Sequence, residues 1–246
     1  MLVEFLDQIL EMAKPNFLTD GNRQYSDKDL KLIYPPQTKA VDCSTLQGLV
    51  DLFVEDMDDV KPDQVFVHIT SPTTVDIISK ISDDHGRRCV WARATYPECR
   101  NFGFGAWMDP ESFIIAAQQG FQRVKIENPD GTFAKDLDYV LGIASKISAE
   151  HTTDHEDDGF AQRVAVKQGV ALKAETILKP MVNLAPYRTF AEIDQVVSQF
   201  VFRARVHNGQ VALALFEGDG GRWKLGAVAA IKQWLQPKFG DTPVIS

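Results

Sequence analysis

Arginines and aromatic residues concentrate in the most basic local region of the chain. Its members are Arg87, Arg88, Trp91, Arg93, Tyr96 and Arg100. Guanidinium groups pair with phosphates and aromatic rings stack on bases, so this composition suits a single-stranded nucleic acid or a nucleotide. In the alternative interpretation, the rings belong to the core and the arginines pair with surface carboxylates. We favour the alternative and keep ligand binding as a hypothesis.

A predicted β-hairpin carries a second pair of arginines. Two alternating apolar runs meet at Asn208-Gly209, a dipeptide that type I′ turns favour because both central residues need φ > 0. A two-residue loop fixes the register, so Phe202 is expected opposite Leu215 on an apolar face. Arg203 and Arg205 then lie on the other face, which is at least partly hydrated. They are candidates for a second basic stripe, although the hairpin itself is better explained as a scaffold.

Two histidines four residues apart, His151 and His155, stand among carboxylates in the run HTTDHEDDG. On a helix this spacing places both imidazoles on one face, as a metal site can require. Two threonines between them and Gly159 after them favour an acidic solvated loop, and the HExxH pattern is missing. No metal site is assigned, and metal binding by this loop stays open.

Common catalytic signatures are missing from the sequence, which has no GxSxG, P-loop, GxGxxG or CxxC pattern. Glu217 and Asp219 flank a glycine at a predicted strand end, where catalytic acids can lie. A two-metal site needs several carboxylates that converge in space, however, and nothing in the sequence selects a set. No catalytic residue and no cofactor are therefore assigned, and the sequence favours a non-enzymatic protein.

Composition describes an ordinary globular protein with an acidic balance. Of its 246 residues 44% are hydrophobic, and 26 basic against 34 acidic side chains give a net charge of −8. This balance argues against a surface that binds nucleic acid everywhere, although local basic stripes are compatible with it.

Three cysteines without a CxxC pair indicate reduced thiols. An acidic amphipathic run follows Met1, and no apolar run approaches the roughly 20 residues that span a bilayer, so we expect a cytoplasmic protein without a membrane partner.

Helical periodicity marks the first residues of the chain. The apolar members of the predicted helix over Leu2 to Ala13 are Leu2, Phe5, Leu6, Ile9 and Leu10, with Glu4, Asp7 and Glu11 opposite. Such a helix fits a core or a partner equally well, and self-association through it is one hypothesis. A second helix is expected over Asp42 to Phe53, with Ser44 or Asp42 as its N-cap. Residues 1–60 are assigned to an N-terminal helical arm.

Residues 61–246 are assigned to a single α+β domain with a candidate sub-boundary near 150–160. Its first half is expected to contain two strands, over Gln64 to Ile69 and over Cys89 to Thr95. Three helices are also expected there: one capped by Ser71 with Pro72 in its first turn, one from Asp109 to about Phe121, and one over Leu137 to Ile147. Period-two patterns then predict four strands of a mostly antiparallel sheet over Gln162–Val170, Glu175–Phe190 (broken near Pro180 and Pro186), Phe200–His207 and Val211–Glu217. A last helix is expected over Lys224 to Leu235. The predicted fold is therefore N-terminal helices and a mixed α/β half, joined to an antiparallel C-terminal β-meander closed by a helix.

Several of these stretches resemble the YfdQ family of proteins encoded by phages and prophages. They are FGFGAWMDPESFIIAAQQGF (102–121), DDGFAQRVAVKQGVA (157–171), VNLAPYRTFAEI (182–193), and SQFVFRARV with LFEGDGGRWKL (within 198–225). The resemblance covers about the last two-thirds of the chain. Alanine is usual in the family where Gly218 stands, a departure that affects one turn. The family provides no catalytic residues, and the resemblance implies a cytoplasmic phage protein from a gene setting of early DNA metabolism.

Three classes of function follow from these features. The leading hypothesis is a non-enzymatic phage accessory protein that self-assembles as a homo-oligomer during phage replication or host takeover. A nucleic-acid or nucleotide-binding protein is the first alternative, and a shell or virion component is the second. A metal-dependent enzyme ranks below these.

Overall fold

The computed structural model describes residues 2–14, 16–26, 32–33, 37, 39–55, 60–81, 86–97, 102–127, 133–149, 152–157, 162–168, 171–207 and 210–246. The helices are α1 (Leu2–Ala13), α2 (Leu46–Val54), α3 (Pro110–Gly120), α4 (Asp136–Ala149) and α5 (Trp223–Leu235). The strands are β1 (Phe17–Asp20), β2 (Arg23–Ser26), β3 (Leu32–Ile33), β4 (Val41–Cys43), β5 (Val65–Ser71), β6 (Thr74–Ser79), β7 (Val90–Thr95), β8 (Phe121–Gln122), β9 (Ile126–Glu127), β10 (Phe133–Ala134), β11 (Thr152–Asp157), β12 (Gln162–Gln168), β13 (Ala171–Leu178), β14 (Met181–Pro186), β15 (Ser198–His207), β16 (Gln210–Glu217) and β17 (Val244–Ile245). None of the described helices is both long enough and apolar enough to cross a membrane.

The fold is mixed α+β with an antiparallel C-terminal sheet and a C-terminal helix, as the sequence predicts. Two sheets form its body. One has the order β17-β5-β6-β7-β4, with antiparallel central strands and a parallel strand at each edge. The other is antiparallel with the order β16-β15-β14-β8. Smaller sheets join β1-β2-β3, β9-β10 and β11-β12-β13, so the predicted C-terminal meander is divided between two sheets.

The four-stranded sheet holds the first hydrophobic core, together with α3 and α4. Period-two alternation puts Phe200 and Phe202 of β15 on the inner face, where Leu213 and Leu215 of β16 join them. The predicted hairpin register is confirmed, because Phe202 pairs with Leu215 and His207 pairs with Gln210. Its Asn-Gly turn lies outside the described residues.

The five-stranded sheet holds the second core, and α2 and α5 supply its helices. Val67 and Ile77 lie on the face of the sheet that these helices cover, and Ile231 and Leu235 of α5 contribute to the same cluster. Leu225, which the periodicity places on the buried side of α5, is instead 76% exposed. Ala227 is fully buried on that helix.

The segment 187–197 connects the two cores. Phe190 and Ile193 belong to the second core, whereas the preceding strand β14 belongs to the first. The Thr189 hydroxyl donates to the carbonyl oxygen of Pro72 at 2.5 Å, and the backbone of Gln47 donates to Glu192 at 3.2 Å. These bonds attach the segment to the turn after β5 and to the start of α2.

The predicted helix after Ser71-Pro72 is wrong, because this stretch is a β-hairpin. Ser71 pairs with Thr74, which leaves Pro72 and Thr73 as a two-residue turn, and the Ser71 hydroxyl accepts from the backbone N–H of Thr73 at 3.1 Å. A hydroxyl followed by proline begins turns as well as helices. The next residues are mostly β-branched and favour a strand, in which Val75 and Ile77 are buried at period two.

Two further local predictions are corrected. The N-cap of α2 is Thr45, not Ser44 or Asp42: its hydroxyl accepts from the backbone N–H of Gly48 at 3.0 Å, while Asp42 lies in strand β4. The loop predicted around the two histidines is wrong over residues 152–157, which form β11 paired with β12. His155 lies on that strand, so helical spacing does not apply to the pair, and His151 lies outside the described residues.

Candidate functional site

α1 presents an apolar stripe to solvent. Every described side chain of this helix is exposed, including Phe5 at 59%, Leu6 at 50% and Ile9 at 45%. A helix of 12 residues is marginally stable in water by itself, because nucleation costs conformational entropy that few hydrogen bonds offset. An amphipathic helix of this length therefore gains most of its stability from a surface that covers its stripe.

β1 extends this apolar surface beyond the helix. Phe17 and Leu18 are 61% and 68% exposed, and β1 is an outer strand of its sheet. An exposed outer strand offers backbone N–H and C=O groups to another chain. We call the exposed apolar residues of α1 and β1 the arm surface; they are Val3, Phe5, Leu6, Ile9, Leu10, Met12, Phe17 and Leu18.

The polar side of α1 is acidic. Glu4, Asp7 and Glu11 lie opposite the apolar stripe, and Lys14 pairs with Glu11 just after the helix. Helices that lie on anionic membranes carry lysine and arginine on this side, since the lipid surface is negative. The charge of α1 therefore favours a protein partner over a membrane surface.

Two of the arginines predicted around β7, Arg88 and Arg93, have partners within the chain. Arg93 donates to both carboxylate oxygens of Asp76, from Nε at 2.7 Å and from Nη2 at 3.0 Å. The hydrogen bonds and the charge of Asp76 raise the pKa of the Arg93 guanidinium. Arg88 is exposed; it donates to the carbonyl oxygen of Ser79 at 3.3 Å and lies 5.2 Å from the Phe66 ring centroid.

The remaining predicted residues of this region have different surroundings. Trp91 and Tyr96 are half-buried against the second core, where the Tyr96 ring meets Phe190 edge-on at 6.0 Å. Arg87 is half-buried near the start of β7, and Arg100 lies outside the described residues. Ligand binding by this region stays a prediction.

Arg203 and Arg205 lie on the outer face of the hairpin, where they pair in register with Ala214 and Ala212. The exposed guanidinium of Arg205 lies 4.3 Å from the centroid of the Trp107 ring, and that ring meets Phe216 edge-on at 5.8 Å. These two arginines belong to the four-stranded sheet, whereas Arg93 belongs to β7 of the five-stranded sheet and Arg88 lies just before that strand. The two predicted basic stripes are therefore on different sheets.

Sequence reasoning missed Arg188, whose side chain is only 9% exposed. Its Nη1 atom donates to Oε1 of Glu217 and its Nη2 atom donates to Oγ of Ser198, both at 2.6 Å. The guanidinium lies over Trp223 at 4.1 Å from the ring centroid, and the Phe200 and Phe104 centroids are 5.5 and 5.7 Å away. Burial lowers the pKa of Arg188, and Glu217 opposes this shift.

Asp219 closes the same cluster from the glycine-rich turn before α5. Its carboxylate accepts from the backbone N–H groups of Gly221 at 3.0 Å and Trp223 at 3.2 Å. Burial raises the pKa of Asp219, but these hydrogen bonds, together with Ser198 and Arg188, outweigh burial and lower it. Gly220 and Gly221 have φ of +63° and +82°, which side chains disfavour.

Four separate stretches of the chain meet at Arg188. They supply Phe104, Arg188 itself, Ser198 with Phe200, and Glu217 with Asp219 and Trp223. Within this cluster Arg188 donates to Glu217 and Ser198, and Asp219 accepts from the backbone of the turn, so we interpret the cluster as a structural one. Among the residues that the structure describes, no three His, Cys, Asp or Glu side chains are arranged to hold a metal ion.

The molecule is thus an α+β protein with two sheets, each with its own core and helices, that the segment 187–197 connects. Comparison with protein-family models, with curated proteins and with solved structures gives no match.

Proposed function

We propose that this chain is a self-associating accessory protein, encoded by a phage or prophage, that acts in the host cytoplasm without catalytic chemistry of its own. The observation that carries the self-association is the arm surface: eight apolar side chains of α1 and β1 that are 45% to 83% exposed in the single chain. The proposed phage origin rests on the resemblance of several stretches of the chain, including those that meet at Arg188, to the YfdQ family.

The energy available from the arm surface is large enough for assembly. Full burial of one large aliphatic or aromatic side chain stabilises by roughly 1.5–3 kcal/mol relative to exposure. Association costs about 4–15 kcal/mol in lost translational and rotational freedom. Burial of several of the eight residues together therefore offsets that cost, whereas burial of one does not.

Replacement of Ile9 by glutamate is expected to weaken self-association. Ile9 is at the centre of the stripe, and loss of its burial should raise the dissociation constant by roughly tenfold to a hundredfold. Gln8→Glu is the matched control, since it adds the same charge at a neighbouring position on the polar side of the same helix. Sedimentation equilibrium of the wild type and both variants measures the three constants.

Two results would contradict the proposal. Equal dissociation constants for Ile9→Glu and Gln8→Glu would show that the apolar stripe is not part of the interface. A monomeric mass at micromolar concentration by light scattering, unchanged by deletion of residues 1–15, would show that the chain does not self-associate.

Nucleic-acid binding is the second candidate function, and the exposed Arg205 beside Trp107 supports it. A guanidinium on an indole can stack on a base while it pairs with a phosphate.

If this surface binds nucleic acid, Arg205→Ala should weaken retention of a labelled single-stranded oligonucleotide at low salt. The slope of the logarithm of the binding constant against the logarithm of the salt concentration should fall in magnitude by about one. Arg222→Ala, at another exposed arginine, is the control, and replacement of Arg87 and Arg88 tests the other stripe. No retention of the oligonucleotide at low salt would end this candidate.

A further inference from the structure

α1 separates its apolar and polar side chains into two sides of the helix. At about 100° per residue, the apolar side chains between residues 3 and 12 fall within an arc of about 180°, and the polar ones fall within the rest. The apolar members are at least 45% exposed; they are Val3, Phe5, Leu6, Ile9, Leu10 and Met12. The apolar stripe therefore covers about half of the circumference of the helix.

The stripe is wider than the contact between two helices. In a heptad assignment Leu6 and Ile9 take positions a and d, which form the seam of a two-stranded coiled coil. The flanking positions e and g often carry charges in such pairs, but here they are apolar on both sides. These flanking residues are Val3 and Leu10 at e, and Phe5 and Met12 at g. A helix with apolar residues on both flanks buries them when it has a neighbour on each side.

The acidic residues of α1 lie outside such a contact. Glu4 and Glu11 take position f and Asp7 takes position b, and these positions face away from the partner helices. Identical helices can therefore meet along the stripe while their carboxylates stay in water and apart from one another. This distribution of charge fits another α1 as the partner.

The rest of the described chain does not offer a matching apolar surface. Outside the arm surface, no described helix or strand carries more than one exposed large apolar residue. These residues are Val41, Val54, Ile81, Ile115, Tyr187, Val197, Leu225 and Ile245. Single exposed apolar residues are ordinary on protein surfaces. In a second copy, the described helix that matches the stripe of α1 is therefore α1 itself.

Buried area favours more than two helices. A large apolar side chain carries roughly 60–120 Å² of surface that burial removes from water. Two helices that cover only Leu6 and Ile9 bury less than roughly 500 Å² in total, below the roughly 1,200 Å² of a stable interface. Three helices that bury all six side chains of the stripe reach roughly 1,100–2,200 Å².

We infer that the stripe of α1 is covered by the α1 helices of at least two further copies, which form a bundle with their acidic sides outward. This inference rests on the proposed self-association and names its interface and its smallest size. Neither hydrophobic core includes a residue of α1, so substitutions in this helix test the bundle without removing a core side chain.

Cross-linking of a chain with one cysteine on each flank of the stripe tests the bundle. The test chain carries Leu10→Cys and Met12→Cys in a background with the native cysteines replaced by serine and the wild-type oligomer mass retained. A short bis-maleimide reagent should give linked products of three or more chains. The matched control carries Asp7→Cys and Gln8→Cys on the polar side and should give several-fold less of these products.

The mass of the wild-type chain gives a second measurement that needs no substitution. Sedimentation equilibrium at concentrations where association is complete should give at least three times the 27.5 kDa of one chain. The polar-side control with cysteines at 7 and 8 should have the same mass, because its changes lie outside the stripe.

Each other result contradicts the inference in a distinct way. Linked products that stop at two chains, or a wild-type mass that stays at two chains, would show that α1 forms a pair and would leave self-association intact. Equal linking of the test and control chains would show that the stripe is not the contact. An oligomeric protein without links through α1 would show that another surface mediates assembly. A monomeric wild type would overturn the proposed function together with the bundle.

Discussion

Arg188→Met is expected to lower the free energy of unfolding by about 3 kcal/mol, near the low end of the cost of breaking a buried ion pair. The arginine side chain is 9% exposed, so its loss removes the hydrogen bonds to Glu217 and Ser198 and leaves their acceptors in a poorly hydrated site. The low end applies because Glu217 is 43% exposed and can recover some hydration. Urea denaturation followed by fluorescence measures the change.

Arg222→Met is the matched control for this prediction, since Arg222 is exposed in the glycine-rich turn beside the same cluster. We expect this control within about 0.5 kcal/mol of the wild type, as for most surface substitutions. Arg188→Lys should fall between the two, because an ammonium keeps the charge but cannot bond Glu217 and Ser198 in the fixed geometry of a guanidinium. Equal free energies of unfolding for Arg188→Met and the Arg222→Met control would show that the Arg188 cluster does not stabilise the fold.

Gln195→Leu is expected to cost about 3 kcal/mol or more, because one buried amide pairs several backbone groups whose loss costs roughly 1–3 kcal/mol each. Oε1 of Gln195 accepts from the backbone N–H of Arg188 at 3.0 Å and of Thr189 at 3.3 Å. Its Nε2 is near the carbonyl oxygens of Thr189, Phe190 and Ile193 at 3.4, 3.2 and 3.3 Å. Leucine has a similar volume but cannot form a hydrogen bond with any of these backbone groups.

For a chain of this length, 3 kcal/mol corresponds to a fall of about 6–12 °C in Tm. Gln199→Leu is the control, since Gln199 is exposed on β15. A Tm for Gln195→Leu that matches the control would mean that water or a backbone shift satisfies these groups. The segment 187–197 would then not need its side-chain bonds to connect the two cores.

Local sequence signals predict those elements whose neighbours in the chain decide their structure. Asp109 accepts from the backbone N–H of Ser112 at 3.0 Å, so the cap, the proline after it and the helix start follow from four residues. The Asn-Gly dipeptide likewise fixes the register of β15 and β16, which pair directly along the chain. In both places a short-range rule is sufficient.

Tertiary pairing decides the elements that the sequence does not predict. Ser71-Pro72 fits a helix cap and a hairpin turn equally well, and the pairing of β6 with both β5 and β7 selects the hairpin. Arg188 lies two residues after Pro186 in a segment with no basic cluster, and its side chain contacts rings, a hydroxyl and a carboxylate from three other stretches of the chain. No pattern among neighbouring residues in the sequence predicts such a cluster.

The mass of the wild-type chain in solution tests the central claim most directly. Light scattering across a dilution series should give a weight-average mass above the 27.5 kDa of one chain at micromolar concentration, and that mass should fall reversibly toward 27.5 kDa on dilution. This result is expected because the arm surface is exposed in the single chain and becomes buried on association. A constant mass of 27.5 kDa at every concentration would contradict the account.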